Sequence, residues 1–244
     1  MGGLDGLARA ATEAFCVVVP IVCASCGRPD GSLCAACLAE LEPRPHLTAR
    51  LGIPIWCVYD YDGAVRRAII AFKDAGRTDL ARVLGRGLRA AVSAALGGGF
   101  PLGLASGASA VELVTIPSSR TSWRARGYHP VGVLLRRAGL RPSALLRHSI
   151  ARADQVGLGR EARRVNLEGT LVVRSGIRRS RRASIAGRAF LIVDDIVTTG
   201  ATIQEAARAI EAAGGSVLGA AVLAETRLRS DRNFGARETR RNNR

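Results

Sequence analysis

Apolar residues recur along the chain at two spacings, and the pattern changes about midway. In the first half the period is helical. Val65, Ala68, Ile69 and Phe72 fall three or four residues apart and predict a helix over residues 64–75, closed before Gly76. A second helix is predicted over residues 79–96, stopped by Gly97, Gly98 and Gly99. Residues 53–61, rich in Ile, Val, Trp and Tyr between turn residues, predict a strand, and residues 4–15 a short amphipathic helix. From Val111 onward, apolar runs alternate with helical patterns. Strands are expected over 111–116, from Leu145 and Leu146, over 171–173, 190–193 and 216–224; helices over 131–138, 158–166 and 201–213. Such alternation predicts a parallel sheet flanked by helices, with ligands at the carboxyl ends of the strands. Past Arg227 no apolar period survives, and the sequence predicts a disordered tail.

The chemistry is densest between Phe190 and Thr202. An apolar strand leads into Asp194 and Asp195, then into Thr198, Thr199 and Gly200, then into a helix that opens with Ala201 and Thr202. A turn of small hydroxyl residues and glycine lets backbone N–H groups approach a phosphate, and the following helix adds its free amino-terminal donors. Two carboxylates at the strand end suit a vicinal diol, so ribose 5-phosphate satisfies both halves. The segment resembles the phosphoribosyl-pyrophosphate (PRPP) motif of type I phosphoribosyltransferases. That resemblance implies that Asp194 and Asp195 bind the ribose hydroxyls and stabilise positive charge developing at C1. It implies that Thr198, Thr199, Gly200, Ala201 and Thr202 cradle the 5-phosphate, and that Mg²⁺ is held mostly by pyrophosphate and ribose oxygens.

A second anion-binding pattern follows the strand at 111–116. Ser118, Ser119 and Arg120 place hydroxyls and a guanidinium after an apolar strand. Beside the Asp194 segment this resembles the pyrophosphate loop of the same enzymes, with Arg120 on the anion. Arg124, Arg126 and Tyr128 then resemble a mobile cover that excludes water.

Cys23, Cys26, Cys34 and Cys37 form two CxxC pairs seven residues apart. Four thiolates at this spacing close a tetrahedral Zn²⁺ shell with no open position, so the expected metal is structural. Cys16 and Cys57 stand alone and read as small buried apolar residues. A cysteine knuckle ahead of a phosphoribosyltransferase segment resembles the ComF family of competence-associated proteins. The resemblance runs to about Arg227. It takes in Pro20, the Tyr61 to Gly63 segment, Phe72 and Lys73 with Gly76 and Arg77, then Arg126, Gly127 and Tyr128, then Gln155 to Leu158 with Arg163 and Asn166. It implies an α/β type I phosphoribosyltransferase fold with a small amino-terminal four-cysteine zinc module. The implied division is residues 1–50 for the helix and zinc module, 51–226 for the phosphoribosyltransferase domain, and 227–244 for the basic tail. Where the family commonly carries Asn-Gln, this chain has His129 and Pro130. His129 therefore reads as a loop residue, and His46 and His148, without a partner pattern, receive no role. The resemblance implies a place near the mouth of the site for Lys73, Gly76 and Arg77; a lone lysine at a helix end equally suits solvent and the helix dipole.

Composition changes this picture in one respect. Of a formal net charge of +16, residues 174–188 carry six arginines and no acid (+6), and residues 227–244 seven arginines against Asp231 and Glu238 (+5). Concentrated positive charge suits a polyanion such as single-stranded DNA, and a solvated loop and tail explain it equally. Two functions from different classes therefore stand side by side: a Mg²⁺-dependent transferase acting on PRPP and an unidentified nitrogenous acceptor, and a single-stranded-DNA-handling protein of DNA uptake built on the same fold. No segment has the basic start of a secretory leader or the ~20 apolar residues of a membrane span, and with clustered reduced cysteines the sequence predicts a cytoplasmic protein.

Overall fold

The structure is a computed structural model that describes residues 22–97, 111–149, 169–174 and 185–226, with Arg120 described for its backbone only. The predicted helices at 4–15 and 158–166, Cys16, Gln155, Arg163, Asn166, most of the arginines of 174–188 and the tail lie outside the described residues.

The element order is α1 (Ala35–Glu40), β1 (His46–Arg50), β2 (Ile53–Cys57), β3 (Tyr59–Asp60), α2 (Gly63–Asp74), a 3₁₀ turn (Thr78–Leu80), α3 (Ala81–Ala95), β4 (Glu112–Thr115), α4 (Arg120–Arg126), α5 (Pro130–Arg137), β5 (Leu146–His148), β6 (Leu171–Val173), β7 (Ala189–Val197), α6 (Ala201–Glu211) and β8 (Ser216–Glu225). The main sheet runs β1-β2-β8-β7-β4, with the short β3 also paired to β8. All pairs are parallel except β1 with β2, an antiparallel hairpin at the sheet's edge in which His46 faces Cys57 and Arg50 faces Ile53. The main sheet is thus the mostly parallel one that the alternation predicts. β5 and β6 depart from it by forming a separate antiparallel pair, Leu146 opposite Val173 and His148 opposite Leu171.

Alternation along β7 sends its side chains to two cores. Leu191 and Val193 join a cluster with α2, α3 and α5, while Phe190 and Ile192 join α6 on the opposite face. All four are fully buried, each worth roughly 1.5–3 kcal/mol relative to exposure. A strand buried on both faces reads as an unbroken apolar run, and residues 190–193 do so. Cys23, Cys34, Cys37 and Leu41 belong to the same core as α2 and α3, so the cysteine segment is packed onto the α/β layers. Among the described residues no helix is long and apolar enough to cross a membrane.

Candidate functional site

β7 runs to Val197, so Asp194 and Asp195 sit inside the final stretch of the strand rather than in the loop after it. The ladder explains the extension: Asp194 is held opposite Val222 and Ile196 opposite Ala224 of β8. The two acids are adjacent on the strand, and the charge of Asp195 acts on Asp194. Asp194 accepts the Asp195 backbone N–H at 2.9 Å. Burial, then the charge of Asp195, push the Asp194 carboxyl up to about 7, against the opposing pull of that N–H and of Lys73. Asp195 receives the Lys73 ammonium at 2.9 Å, with the two side chains 15% and 21% exposed.

After Val197 the chain turns through Thr198, Thr199 and Gly200 into α6. Thr198 and Thr199 are exposed, Thr202 likewise, and Ala201 is half-buried. Gly200 supplies no side-chain cap, and the Ala201 N–H makes only a long bond to Thr199 Oγ1 at 3.4 Å, so the amino-terminal end of α6 keeps donors for an anion. Gly200 has φ of 83°, and a Cβ there would lie 2.5 Å from Cβ of Arg50. Arg50 is the residue that sequence reasoning missed. Buried at 8% exposure, it lies under the loop, its Nε donating to the Thr198 carbonyl at 3.4 Å and one guanidinium nitrogen to Glu225 at 2.5 Å. A lone arginine at the end of a short strand carries no motif, so nothing local announces it. The G200A variant should lose roughly 2–4 kcal/mol, from the left-handed backbone and the clash together. Urea unfolding measures it; an unchanged midpoint would contradict the contact.

His46 also reaches Glu225, at 2.8 Å, and Cys57 lies close enough that the three could surround a metal ion. Two features disfavour that use. The Arg50 guanidinium already occupies the carboxylate, and burial pushes the Cys57 thiol up to about 12. The group is better described as an ion-pair network beneath the threonine loop.

The second anion segment departs from the expected loop. Ser119 caps α4, its Oγ accepting the Ser122 N–H at 3.1 Å, so Arg120, Arg124 and Arg126 lie on a short helix that ends in left-handed Gly127. Ser118 is half-buried on the approach to it. Arg124 is exposed, and Arg126 pairs with Asp74 at 3.0 Å. The Tyr128 hydroxyl donates to the Phe72 carbonyl, with the two rings 5.8 Å apart. His129 is more than a loop residue. Its Nδ1 accepts the Gly132 N–H at 3.0 Å, capping α5, while Nε2–H donates to the Ile116 carbonyl at 2.8 Å. His148 reaches the next carbonyl, Pro117, at 3.1 Å. Two imidazoles thereby hold consecutive carbonyls at the entry to the Ser118–Arg120 segment.

The four cysteines come together as the spacing predicts. Their sulfurs lie within 4.8 Å of one another, with Cys26 and Cys34 3.6 Å apart. A tetrahedral shell with Zn–S of about 2.3 Å requires sulfurs about 3.8 Å apart, so the set fits zinc. Burial opposes ionisation of Cys23, yet the N–H groups of Cys26, Cys34 and Ser25 bring it down to about 6. Cys37 receives a bond from Ser25, but burial and the three neighbouring sulfurs push it up to about 12. A divalent cation would offset that mutual repulsion.

A cavity of about 570 Å³ opens between α1 and β3, walled by Glu40, Glu42, Asp60 and Asp62 among others. Arg44 and His46 share its wall with those acids, and none of the sequence-predicted site residues lines it.

Comparison with known families agrees with the β7–α6–β8 geometry. Residues 127–239, a little under half of the chain, match the family model for the phosphoribosyl transferase domain. The match takes in α5, both acids, the threonine loop, α6 and β8. The chain thus carries a phosphoribosyltransferase-type α/β domain, preceded by a four-cysteine cluster compatible with a zinc module. No curated protein matches the chain.

Proposed function

We propose that the protein binds PRPP at the carboxyl ends of β7 and β4 and transfers its phosphoribosyl group to a nitrogenous acceptor. The observation that carries this reading is the acidic pair of β7 running directly, past exposed Thr198 and Thr199, into the amino-terminal end of α6. In this reading Asp194 and Asp195 accept the ribose hydroxyls and Thr198 to Thr202 hold the 5-phosphate. Ser118, Ser119 and Arg120 receive the pyrophosphate, with Arg124 and Arg126 beside it. In the reaction the C1–O bond to pyrophosphate breaks, a C1–N bond forms, and the acceptor nitrogen gives up its proton. The acids stabilise positive charge on the ribose as pyrophosphate leaves. Bound together with PRPP, Mg²⁺ would supply charge neutralisation at the pyrophosphate, as suits a hard cation with oxygen ligands.

The cysteine module ahead of the domain supports placing the chain with ComF-like proteins, with residues 1–50 and 51–226 as its two parts and 227–244 as a basic tail. A single-stranded DNA partner rests on arginines mostly outside the described residues. The best-described of them, Arg188, is engaged with Glu112 and stacks over Phe190, so it is not held out for a phosphate.

The test is calorimetry of the purified chain with Mg²⁺-PRPP, followed by pyrophosphate release with a panel of nitrogenous bases. Saturable binding is expected, with release only for a matching acceptor. Absence of binding at millimolar PRPP would overturn the reading.

A further inference from the structure

Lys73 is the only lysine in the sequence, and the fold delivers it to the acidic pair. It lies in the last turn of α2, a helix that leaves the carboxyl end of β3 and ends beside Asp195. The end of α2 is fixed by partners from the segment after β4: the Tyr128 hydroxyl on the Phe72 carbonyl and Arg126 on Asp74. Just beyond it, Arg77 donates to the Val22 carbonyl beside Cys23 at 3.1 Å and makes a two-pronged pair with Asp79. Arg67, on the same helix, donates to Ser25 at 3.1 Å. Phe72, Asp74, Arg77 and Arg67 thus tie α2 to its surroundings, and Lys73 from its last turn reaches an acid of β7.

We propose that Lys73 is a positioning residue of the PRPP site: its ammonium orients the Asp195 carboxylate toward the ribose hydroxyls. The inference rests on the PRPP reading above. An ammonium on one carboxylate oxygen fixes the plane of the group and leaves the other oxygen to accept. It also offsets the repulsion between two acids in adjacent positions: burial, then the charge of Asp195, raise the Asp194 carboxyl, and Lys73 pulls it back. Because Lys73 acts on the acid and not on a phosphate, its effect belongs to the ribose half of the ligand.

The experiment titrates wild type, Lys73→Met and Lys73→Arg with three probes in Mg²⁺: PRPP, ribose 5-phosphate and inorganic pyrophosphate. Circular dichroism and thermal unfolding establish that each variant is folded. Lys73→Met should weaken PRPP and ribose 5-phosphate alike, by roughly ten- to a hundredfold, the worth of one charge-assisted hydrogen bond. Pyrophosphate affinity should stay within about twofold, and Lys73→Arg should recover most of the loss, since both keep a cation at this point. Three results would overturn the proposal: equal PRPP affinity in Lys73→Met, a loss confined to pyrophosphate, or equal losses in the Met and Arg variants. Failure of wild type itself to bind PRPP would instead remove the reading on which the proposal stands.

Discussion

Replacing Asp194 and Asp195 together by asparagine is expected to weaken Mg²⁺-PRPP binding at least a hundredfold while the chain stays folded. Each carboxylate offers a charge-assisted hydrogen bond worth about 1.5–3 kcal/mol, and two such losses compound. Asparagine keeps the shape of the site, so a loss measured by calorimetry reports charge. Equal affinity in the double variant would contradict the assignment. The single Asp194→Asn variant carries a second expectation, about stability. The Asp194 carboxyl stands at about 7 in the folded chain against 3.8 for a free side chain. Between those values the folded state holds the extra proton, so stability falls as pH rises through the window. Asp194→Asn removes that slope. It should unfold at a higher temperature than wild type at pH 8, with the difference shrinking toward pH 4. A variant that binds worse and stands firmer is the expected mark of an acid retained for function. If its melting temperature tracked that of wild type at every pH, the burial of charge at Asp194 would be disproved.

Much of this site is legible in the sequence because its signals are local. Phe190 to Thr202 contains strand, acids, loop and helix start in one continuous segment, so pattern alone orders its parts. The cysteine pairs are equally compact. The strand's end is harder, because the apolar run stops at Val193 while the ladder with β8 continues to Val197. Hydrogen bonding to a neighbour, not side-chain polarity, decides where that strand ends. Arg50 and Glu225 lie 175 residues apart and meet only through sheet order, which no spacing encodes. His129 reads as a loop residue in the sequence because histidine is an unusual cap; its bond to Gly132 is local, three residues on, while Ile116 is reached only when β4 and α5 are placed. Ser118 to Tyr128 reads as loop and cover; the N-cap at Ser119 turns most of it into α4, a short helix without the apolar face that periodicity needs.

The cysteine cluster carries the other large expectation. Purified protein should hold about one Zn²⁺ per chain, and Cys26→Ser with Cys37→Ser should release it. Elemental analysis decides this directly; unchanged metal content in the double variant would sink the assignment. The structural consequence should be local first. Residues 23–34 have few hydrogen bonds of their own beyond turns such as Gly27 to Cys23 and Ala24 to Ser32. Metal ligation is therefore the main candidate for ordering them, and hydrogen exchange there should quicken sharply once zinc is lost. β7 and β8, whose facing residues are buried in both cores, should keep their protection. Between these limits lies α2, which shares its core with Cys23, Cys34 and Cys37 and is tied to that segment by Arg67 and Arg77. Partial loss of protection in α2 should follow, and PRPP affinity should fall severalfold with it, since Lys73 depends on the helix staying in place. Chelation of zinc that opened residues 23–34 yet left α2 protection and PRPP affinity untouched would show that the module and the ribose acids are mechanically independent.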